Sequence, residues 1–492
     1  MTLTSSRAEL AFLLNDREIR LGSVKPEDTL LDFLRLGQKL RGTKEGCAEG
    51  DCGACTVLVG KLGPSGLVYE PVNSCIRFMG SLDGCHVVTV EHVARPDGLH
   101  PVQAALVEHH GSQCGFCTPG FVMSLYGLWM SRARPDDADI EKALQGNLCR
   151  CTGYEPIVKA AKAALAAGGQ NADRLSVERE AVTAKLAALR DGRRVEITSA
   201  AGRIIIPSSA DDLALAYAEK PDAILVAGST DVGLWVTKRM KAISPAIFIG
   251  GINELADIKV ADGVLRIGAT ATYRQVQDEL ARHFPALGRL IERIGGEQVR
   301  AMGTIGGNIA NGSPIGDMPP ALIALNAQLV LRRGAARRRL ALEDYFIAYG
   351  KQDRQPGEFV EAVEIPLLQA GAIFAVHKIS KRRDEDITAT LGAFHVRLDG
   401  DNSVRSARIA YGGMAATPKR AKAAEAALTG EKWTRGGIEA AMAVLGEDFQ
   451  PISDMRASAD YRMLAARNLL KRTWLESVSG SKPVSLKRHA EA

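Results

Sequence analysis

Eight cysteines, arranged in two groups of four, are the residues whose types and spacing most clearly indicate chemistry. The first group follows a C-x4-C-x2-C pattern with a fourth cysteine downstream, and the second pairs a C-x2-C with a C-x-C. The groups are Cys47, Cys52, Cys55 and Cys75, and then Cys114, Cys117, Cys149 and Cys151. Four thiolates are the number that a [2Fe-2S] cluster requires, and the first spacing is a known cluster-binding pattern. The spacing therefore predicts electron transfer.

Glycines at positions 46, 50 and 53 strengthen the cluster interpretation of the first group. They allow the backbone to fold closely around an anionic cluster and to direct N–H groups at its sulfurs. Disulfides are a poor alternative, because the N-terminal residues show no signal-peptide pattern and an intracellular chain of this length needs no cross-links. Zinc is the other alternative, since closed four-cysteine zinc sites also use C-x2-C pairs. On spacing alone, zinc stays open for the second group.

The ninth cysteine, Cys85, lies in the alternating segment CHVVTVE. Alternation over such a run is typical of a strand that buries one face. Free cysteines are among the most frequently buried residues. We therefore expect Cys85 to be a buried free thiol and not a ligand.

Three segments around the two groups carry a family resemblance: GCAEGDCGACTV, SQCGFCTPGFVMSLYGL and GNLCRCTGYEPI. They resemble the iron–sulfur portion of the molybdenum hydroxylases, the family of xanthine dehydrogenase and aldehyde oxidase. The resemblance implies one [2Fe-2S] cluster in a plant-ferredoxin-like β-grasp domain, held by the first group. It implies a second [2Fe-2S] cluster in a four-helix domain, held by the second group. Every cysteine position of the family is filled, and this favours iron over zinc at the second group as well.

The bulk composition indicates an ordinary soluble protein of several domains. A chain of 492 residues is too long for one core, so three or four domains are expected. The net charge of +5, from 62 basic and 57 acidic residues, is too even to indicate nucleic-acid binding. No apolar run approaches the roughly 18 residues that a membrane span needs. The cytoplasm is therefore the expected location.

Local patterns predict strands in the first domain and helices in the second. Residues 6–24 predict a hairpin with its turn at Asn15-Asp16, and residues 28–36 predict a helix capped by Asp28. Further strands are predicted at 56–59 and 85–90. Helices are predicted at 101–110, after Pro119, at 139–145 and at 156–167. The predicted domains are 1–95, ferredoxin-like, and 96–167, helical, followed by a linker at 168–203 that carries one exposed helix near 177–189.

Two glycine-rich stretches follow the linker. In the first, an apolar strand at 224–227 runs into Gly228-Ser229-Thr230-Asp231 and then a helical run. Free N–H groups and the helix dipole make such a turn an anion site, although many similar turns bind no ligand. The second stretch, RAMGTIGGNIANGSPIGD, leaves much backbone open for phosphate oxygens or a flavin edge. No GxGxxG occurs here, so a Rossmann fold is not supported.

This region resembles the FAD domain of the same hydroxylases, a fold shared with vanillyl-alcohol oxidase and the CO dehydrogenase flavoproteins. The resemblance implies that two segments wrap the FAD pyrophosphate and ribityl chain, and that three further residues contact FAD. Animal xanthine dehydrogenases have an aromatic ring near the flavin where this chain has Ile294, so that stacking contact is not carried over. The implied contacts are Leu225, Val226, Ala227, Gly228, Ser229, Thr230, Asp231, Val232, Thr304, Ile305, Gly306, Gly307, Asn308, Asp317, Val360 and Lys378.

Two charged runs each have a structural alternative. KISKRRDEDIT, residues 378–388, would by itself indicate a solvated hairpin. The resemblance instead places Arg382, Arg383 and the acidic residues after them beside the flavin, where they could tune it and admit NAD. The arginines at 332, 333 and 337–339 are predicted to form an exposed hairpin tip. Strands at 390–414 and helices after them complete the chain. The predicted domains are 204–384, FAD-binding, and 385–477, a small C-terminal α+β domain, with a disordered tail at 478–492.

The predicted fold is therefore multidomain α+β. The resemblance implies electron flow from molybdopterin through the helical-domain cluster, the ferredoxin-like cluster and FAD to NAD. The family's molybdenum domain is larger than this whole chain, so no catalytic residues are predicted here and a partner chain is expected to hold molybdopterin. The fusion of iron–sulfur and FAD domains resembles the small subunit of a bacterial xanthine dehydrogenase, which oxidises hypoxanthine to xanthine and urate, in an α2β2 heterotetramer.

Two alternatives remain. One is the equivalent subunit of another molybdenum hydroxylase that oxidises aldehydes or N-heterocycles. The other is a non-enzymatic iron–sulfur redox sensor, which would need no flavin.

Overall fold

The computed structural model describes residues 6–63, 66–94, 98–131 and 135–479. Within them lie four larger β-sheets, one two-stranded sheet and four main groups of helices. The described helices include none that combines the length and the apolar character needed to cross a membrane.

The first part of the chain is a five-stranded sheet in the order β2-β1-β5-β3-β4. β1 pairs with β5 in parallel, and the other neighbours are antiparallel. The predicted hairpin is present, and its turn places Asn15 at a φ of 56°. The elements are β1 Leu10–Leu14, β2 Arg17–Leu21, α1 Leu30–Asp32, a π-helical turn Phe33–Gly37, β3 Thr56–Gly63, β4 Gly66–Asn73 and β5 His86–Val88.

The predicted cap of α1 is wrong by one residue. The Oγ1 atom of Thr29 accepts the amide of Asp32 at 3.1 Å and so caps the helix. Asp28 instead accepts the amide of Lys25 at 2.9 Å, in the turn before the helix. Both residue types are good caps, and the preceding turn decides between them.

The second part contains four helices at the predicted positions, and the cysteines of the second group lie at their ends. α3 is buried along most of its length, and the indole N–H of Trp129 donates to the carbonyl of Ala164 at 3.1 Å. Pro119 lies in the first turn of α3, where a missing N–H costs little. The helices are α2 Pro101–Glu108, α3 Thr118–Ser131, α4 Asp137–Leu144 and α5 Glu155–Ala167.

Residues 168–203 are not the linker with an exposed helix that the composition predicted. They contain α6 Arg174–Val177, α7 Arg179–Leu189 and the strand β6 Val195–Ser199. One face of α7 packs on the first sheet, where Val182, Leu186 and Leu189 contact Ala11, Leu13 and Leu67. Val182, Leu186 and Leu189 follow helical spacing, but the alanines between them made this apolar helix face difficult to recognise in the sequence.

The part predicted to bind FAD, residues 195–366 (the flavin-binding part), contains two main sheets, in the orders β6-β7-β9-β8 and β10-β11-β16-β12-β13. Its further strands are β7 Gly202–Ile206, β8 Ile224–Val226, β9 Ala246–Phe248, β10 Ile258–Ala261, β11 Val264–Gly268, β12 Gln328–Arg333, β13 Ala336–Ala341, β14 Phe346–Ala348, β15 Lys351–Gln352 and β16 Phe359–Pro366. Its helices are α8 Ala210–Glu219, α9 Val232–Thr237, α10 Tyr273–His283, α11 Pro285–Ile291, α12 Glu297–Arg300, α13 Ile305–Asn311, α14 Met318–Ala324 and α15 Leu342–Tyr345.

The arginine-rich hairpin β12–β13 is more than an exposed tip. Arg332 is 4% exposed and forms ion pairs with Glu361 and Asp211. Arg337 also pairs with Glu361, at 2.7 Å. The acidic partners come from the neighbouring strand β16 and from α8, distant in sequence, so the run of arginines alone could not reveal them.

The last part is a four-stranded antiparallel sheet covered by helices, and its first strand begins at Ile373, before the predicted domain boundary at 385. Its elements are β17 Ile373–Ile379, β18 Thr390–Leu398, β19 Val404–Gly412, β20 Lys419–Arg420, α16 Lys422–Leu428, α17 Arg435–Asp448 and α18 Ala459–Val478. The sheet and helices share one hydrophobic core. From residue 480 onward, the predicted disordered tail lies outside the described residues.

Candidate cofactor sites

Three cysteines of the first group lie in the loop between α1 and β3, and Cys75 lies in the short helical turn Ser74–Ile76 after β4. Cys55 and Cys75 are buried, and Cys47 and Cys52 are half-buried. The Cys47 thiol is hydrogen-bonded to those of Cys52 and Cys75, and Cys75 is also hydrogen-bonded to Cys55. Cys85 is buried, and its Sγ faces the carbonyl of Ser81 at 3.9 Å. The loop and the turn after β4 together therefore bring the four predicted ligands close to one another.

Backbone amides surround the sulfur of Cys47. The amides of Glu49, Asp51 and Cys52 donate to its Sγ at 3.4, 3.3 and 3.4 Å. Gly50 and Gly53 have φ angles of 81° and 69°, which side chains rarely adopt. Amides directed at a thiolate stabilise its negative charge. The loop is therefore suited to an anionic cluster.

The second group of cysteines lies near the surface, at the ends of α3 and α5. The side chains of Cys117 and Cys149 form one hydrogen-bonded pair, and those of Cys114 and Cys151 form another. Among the described residues, no three His, Cys, Asp or Glu side chains are placed to hold a single metal ion. A [2Fe-2S] cluster divides its four thiolates between two irons, and paired cysteines satisfy that division.

The two groups of cysteines meet directly. The backbone amide of Leu148, next to Cys149, donates to the carbonyl of Cys52 at 3.0 Å. The side-chain amide of Asn147 donates to the carbonyl of Gly53 at 3.3 Å. One backbone hydrogen bond therefore connects Leu148, which precedes the second-group cysteine Cys149, with the first-group cysteine Cys52.

A cavity of about 260 Å³ lies between the first cysteine loop, the flavin-binding part and the loop after β17. Its walls combine charged and apolar side chains from all three. Four of the predicted FAD contacts line it: Thr230, Asn308, Asp317 and Lys378. The remaining lining residues are Glu49, Gly50, Asp51, Ile76, Tyr273, Ile294, Gly295, Val299, Ile315, Gly316, Glu385, Asp386, Ile387 and Thr388.

A buried ion pair lies in this cavity wall. The ammonium of Lys378 contacts the carboxylate of Asp317 at 2.8 Å, with side chains 2% and 10% exposed. The same ammonium donates to the carbonyl of Arg293 at 2.9 Å, and the Thr388 hydroxyl donates to Asp317. Each charge is compensated, so the pair can present fixed polar atoms to a ligand without a large desolvation penalty.

The turn after β8 is open to an anion. Within the described parts of the chain, the backbone amides of residues 228–232 donate to no protein acceptor. Ser229 has a φ of 59°, and its hydroxyl donates to the carbonyl of Ile76 at 2.7 Å. Consecutive free amides form a concave anion-binding surface. The predicted segment, whose members Leu225 and Val226 end β8, therefore suits a phosphate group.

The second predicted FAD segment is arranged differently from the expectation. The amides of Ile305 and Gly306 donate to the carbonyls of Ala271 and Ala269, and that of Gly307 donates to the Thr304 side chain. These amides are therefore occupied, and the segment's open polar atom is the buried Oδ1 of Asn308, which has no partner in the described structure.

Two glycines of the FAD segments are required by contacts within the protein. A Cβ on Gly306 would lie 2.5 Å from that of Ala269, and one on Gly228 would lie 1.8 Å from the carbonyl oxygen of Met302. Neighbouring protein atoms therefore already leave no room for a side chain at these two glycines, whether or not a ligand is bound. Val360, the remaining predicted contact, is buried in β16 and does not line the cavity among the described residues.

The family resemblance placed the acidic residues after Arg383 beside the flavin without distinguishing Glu385 among them. Burial, together with the nearby Asp51 carboxylate, raises the pKa of Glu385 to about 8, whereas Arg382 opposes the shift. It lies in the charged run 378–388, which the family resemblance placed beside the flavin, and the structure places residues 385–388 of that run in the cavity wall. Nothing in the run itself distinguishes Glu385 from its acidic neighbours.

Four family models match successive parts of the chain. A 2Fe-2S iron–sulfur cluster binding domain matches residues 12–76, and a [2Fe-2S] binding domain matches 89–162. The FAD binding domain in molybdopterin dehydrogenase matches 198–368. The CO dehydrogenase flavoprotein C-terminal domain matches 375–477. The chain therefore has two [2Fe-2S] domains and an FAD-binding domain, as predicted.

Curated relatives include purine and aldehyde oxidoreductases. The chain is 32% identical to xanthine dehydrogenase of Emericella nidulans, over 89% of this chain and 36% of that protein. It is 31% identical to xanthine dehydrogenase/oxidase of Rattus norvegicus, over 91% and 37%. It is also 31% identical to aldehyde oxidase 2 of Macaca fascicularis, over 97% and 40%. The chain spans less than half the length of each.

Solved structures resemble slightly more than half of this chain. A carbon monoxide dehydrogenase chain from Hydrogenophaga pseudoflava aligns with a TM-score of 0.52 and 29% identity, covering 54% of this chain and 93% of that chain. A chain of quinoline 2-oxidoreductase from Pseudomonas putida 86 aligns with a TM-score of 0.51 at 24% identity, over 56% and 96%, and supports the fold only. The family models therefore support two iron–sulfur domains and one FAD-binding domain in this chain.

Proposed function

We propose that this chain, built from the iron–sulfur and flavin domains of the molybdenum hydroxylases, is the electron-transfer subunit of a xanthine dehydrogenase. One observation carries the proposal: the two cysteine regions are in direct contact, and the first of them lines the cavity that contains predicted FAD contacts. The Leu148 amide connects the second cysteine group to Cys52, and the first cysteine loop, through Glu49 and Asp51, lines the cavity that contains Asp317 and Lys378.

The order of contacts supports electron flow from the second cysteine group to the first and then to the flavin cavity. When bound, the clusters exchange single electrons, and FAD converts between single electrons and the hydride that NAD accepts. The eight cysteines of the two groups are the proposed ligands. Around them, the amides at Cys47 stabilise negative charge, and the Lys378–Asp317 pair fixes polar atoms in the cavity wall.

The Lys378 ammonium and the Asn308 amide are the groups proposed to orient the flavin in the cavity. The open amides of residues 228–232 are proposed to hold the FAD phosphates. Ile294 and Ile315 supply apolar surface, in place of an aromatic ring, against a flat ligand. Arg382 and Arg383, in the loop that borders the cavity, are proposed to attract the negatively charged dinucleotide NAD.

Xanthine, rather than another substrate, is proposed because xanthine dehydrogenases match across both the iron–sulfur and the flavin parts. Xanthine dehydrogenase would use hypoxanthine and xanthine, with NAD as electron acceptor. The substrate would bind at molybdopterin on a large partner chain, in a heterotetramer with two copies of each chain. Aldehyde oxidase 2 matches at a similar identity, so the equivalent subunit of an aldehyde or N-heterocycle hydroxylase is the second candidate.

Two absorbance assays on the purified chain, loaded with iron and FAD, test the proposal. NADH should reduce an artificial dye, because this half-reaction needs only the flavin and the clusters. Xanthine should not reduce NAD until the molybdenum-containing partner is added. Xanthine turnover by this chain alone would contradict the division of labour. Failure of NADH oxidation with FAD bound would show that another acceptor is used, and a substrate panel with the reconstituted partner would separate purines from aldehydes.

A further inference from the structure

One buried side chain joins the flavin-binding part to both cysteine regions. Gln298, in α12, is 1% exposed. Its Nε2 atom lies within hydrogen-bond distance of three acceptors, Thr56 Oγ1 at 3.1 Å, Ser124 Oγ at 3.1 Å and Asn147 Oδ1 at 3.0 Å, which share its two hydrogens. Thr56 begins β3 after the first cysteine loop, whereas Ser124 and Asn147 belong to the helical region. A single amide group therefore links three parts of the chain.

Two of the three acceptors, the hydroxyls of Thr56 and Ser124, depend on Gln298 for a donor. The Thr56 hydroxyl donates to the carbonyl of Gly53 at 2.6 Å, and the Ser124 hydroxyl donates to Asn147 Oδ1 at 2.7 Å. Each hydroxyl has one hydrogen, so both can only accept from Gln298. All three acceptor residues are at most 2% exposed. Removal of the Gln298 amide would leave the buried Thr56 and Ser124 hydroxyl oxygens without a donor, whereas Asn147 Oδ1 would still accept from the Ser124 hydroxyl.

Glycines allow the backbones of the first cysteine loop, the helical region and the flavin-binding part to come into contact around the Gln298 amide. A Cβ on Gly53 would lie 2.1 Å from the carbonyl oxygen of Gly146, and one on Gly120 would lie 2.1 Å from that of Gly53. A Cβ on Gly296, two residues before Gln298, would lie 2.4 Å from the Cα of Gly146. The contact region around Gly53, Gly120, Gly146 and Gln298, which is the joint, therefore has no space for side chains at its glycines. The Gln298 amide supplies side-chain hydrogen bonds from the joint to both cysteine regions.

The same joint contains the contact between the two cysteine groups. Gly53 directly follows Cys52, and Asn147 lies two residues before Cys149. Between them, the Leu148 amide donates to the carbonyl of Cys52 at 3.0 Å. A shift of one cysteine region against the other would lengthen this bond first. Gln298 holds both sides of it, through Thr56 on one side and Asn147 on the other.

We propose that Gln298 is a positioning residue that fixes the separation of the two iron–sulfur clusters, so that the flavin-binding part controls electron transfer between them. The proposal rests on the proposed function, because it requires clusters in both cysteine groups. Gln298 acts through Thr56 and Asn147, since neither it nor its amide contacts a cysteine side chain within the described contacts. The clusters themselves would remain bound without it.

The test measures magnetic coupling between the reduced clusters in the Gln298→Leu and Gln298→Glu variants of the full chain, loaded with iron and FAD. Both substitutions remove the NH2 group, and the second keeps the size and shape of glutamine. The dipolar splitting in the EPR spectra falls with the inverse cube of the separation. We expect a smaller or broadened splitting in both variants, slower electron exchange between clusters and unchanged iron content. Gln328→Leu, in β12, is the matched control and should keep the wild-type splitting.

A second variant changes Gly146, the residue of the helical region that faces Gln298. The three atoms nearest to a Cβ on Gly146 all belong to Gln298, with its Oε1 at 1.9 Å. Gly146→Ala should therefore disturb the splitting. The double variant Gly146→Ala/Gln298→Ala removes the clash, so it should recover any iron content and folding that the clash had cost. It should not recover the wild-type splitting, because the Gln298 amide is still missing.

The outcomes separate this proposal from the function on which it rests. Absence of two cluster signals in the wild-type chain would overturn the proposed function itself. Two signals in the wild-type chain, with wild-type splitting and exchange rate in both Gln298 variants, would overturn the positioning role alone. A changed splitting in Gln328→Leu as well would also overturn it, because the effect would then not depend on the joint.

Discussion

At the scale of single residues, the structure divides nine cysteines into two groups of four and one cysteine that belongs to neither. The pairs Cys117–Cys149 and Cys114–Cys151 show this most clearly, whereas Cys85 is buried beside β5. Because the two kinds of cysteine differ in surroundings and not in chemistry, the same substitution should have opposite effects on metal content.

The substitution to compare is Cys149→Ser with Cys85→Ser. Cys149→Ser should remove one of two EPR signals and about half of the roughly four irons expected for two clusters. Cys85→Ser should keep both signals and about four irons, and lower stability by about 1 kcal/mol, because a hydroxyl replaces a buried thiol. Iron and sulfide analysis with EPR on reduced samples measures both variants. Loss of a signal in Cys85→Ser would show that the ligand assignment is wrong.

Residue types explain why some site residues were predictable and others were not. Cysteines at fixed spacing are rare and carry a specific chemistry, so the sequence indicated both groups. The contacts at Thr230, Asn308, Asp317 and Lys378 were accessible only through the family resemblance. Gln298 gave no signal, and nothing singled out Glu385 among the acidic residues that the resemblance placed beside the flavin, because the importance of both comes from burial between segments distant in sequence.

At the scale of elements, the predicted hairpin, the four helices and the late strands are present, since each has a clear period or turn signal. The error lies at α7, where three apolar positions separated by alanines were interpreted as an exposed helix in a linker. Its packing partner is the outer face of the first sheet, which local periodicity cannot reveal. Likewise, the amides of Ile305 and Gly306 are occupied by carbonyls of the preceding segment, a long-range pairing that glycine content does not predict.

The packing of α7 can be tested by truncating its central apolar side chain. Leu186 is fully buried against the first sheet, so Leu186→Ala should lower the free energy of unfolding by about 2–5 kcal/mol through lost burial and a cavity. Lys185→Ala, on the exposed side of the same helix, is the control and should change it by less than about 0.5 kcal/mol. Chemical denaturation of the iron-loaded chain measures both. Equal effects would mean that α7 does not pack as described.

At the scale of the whole molecule, function depends on contacts between parts rather than on any one of them. The flavin cavity takes its walls from the first cysteine loop, the flavin-binding sheets and the loop after β17. The Gln298 joint brings the helical region to the same place. This arrangement puts three cofactor regions in sequence inside one chain, and none of the local patterns could predict their relative positions.

An anaerobic reductive titration of the purified, fully loaded chain tests this account most directly. Each [2Fe-2S] cluster takes one electron and FAD takes two, so the chain should accept about four electrons. The bleaching of flavin absorbance should accompany the growth of two distinct EPR signals. An uptake of about two electrons with no flavin bleaching, or a single EPR signal at full reduction, would contradict an electron-transfer chain of two clusters and one flavin.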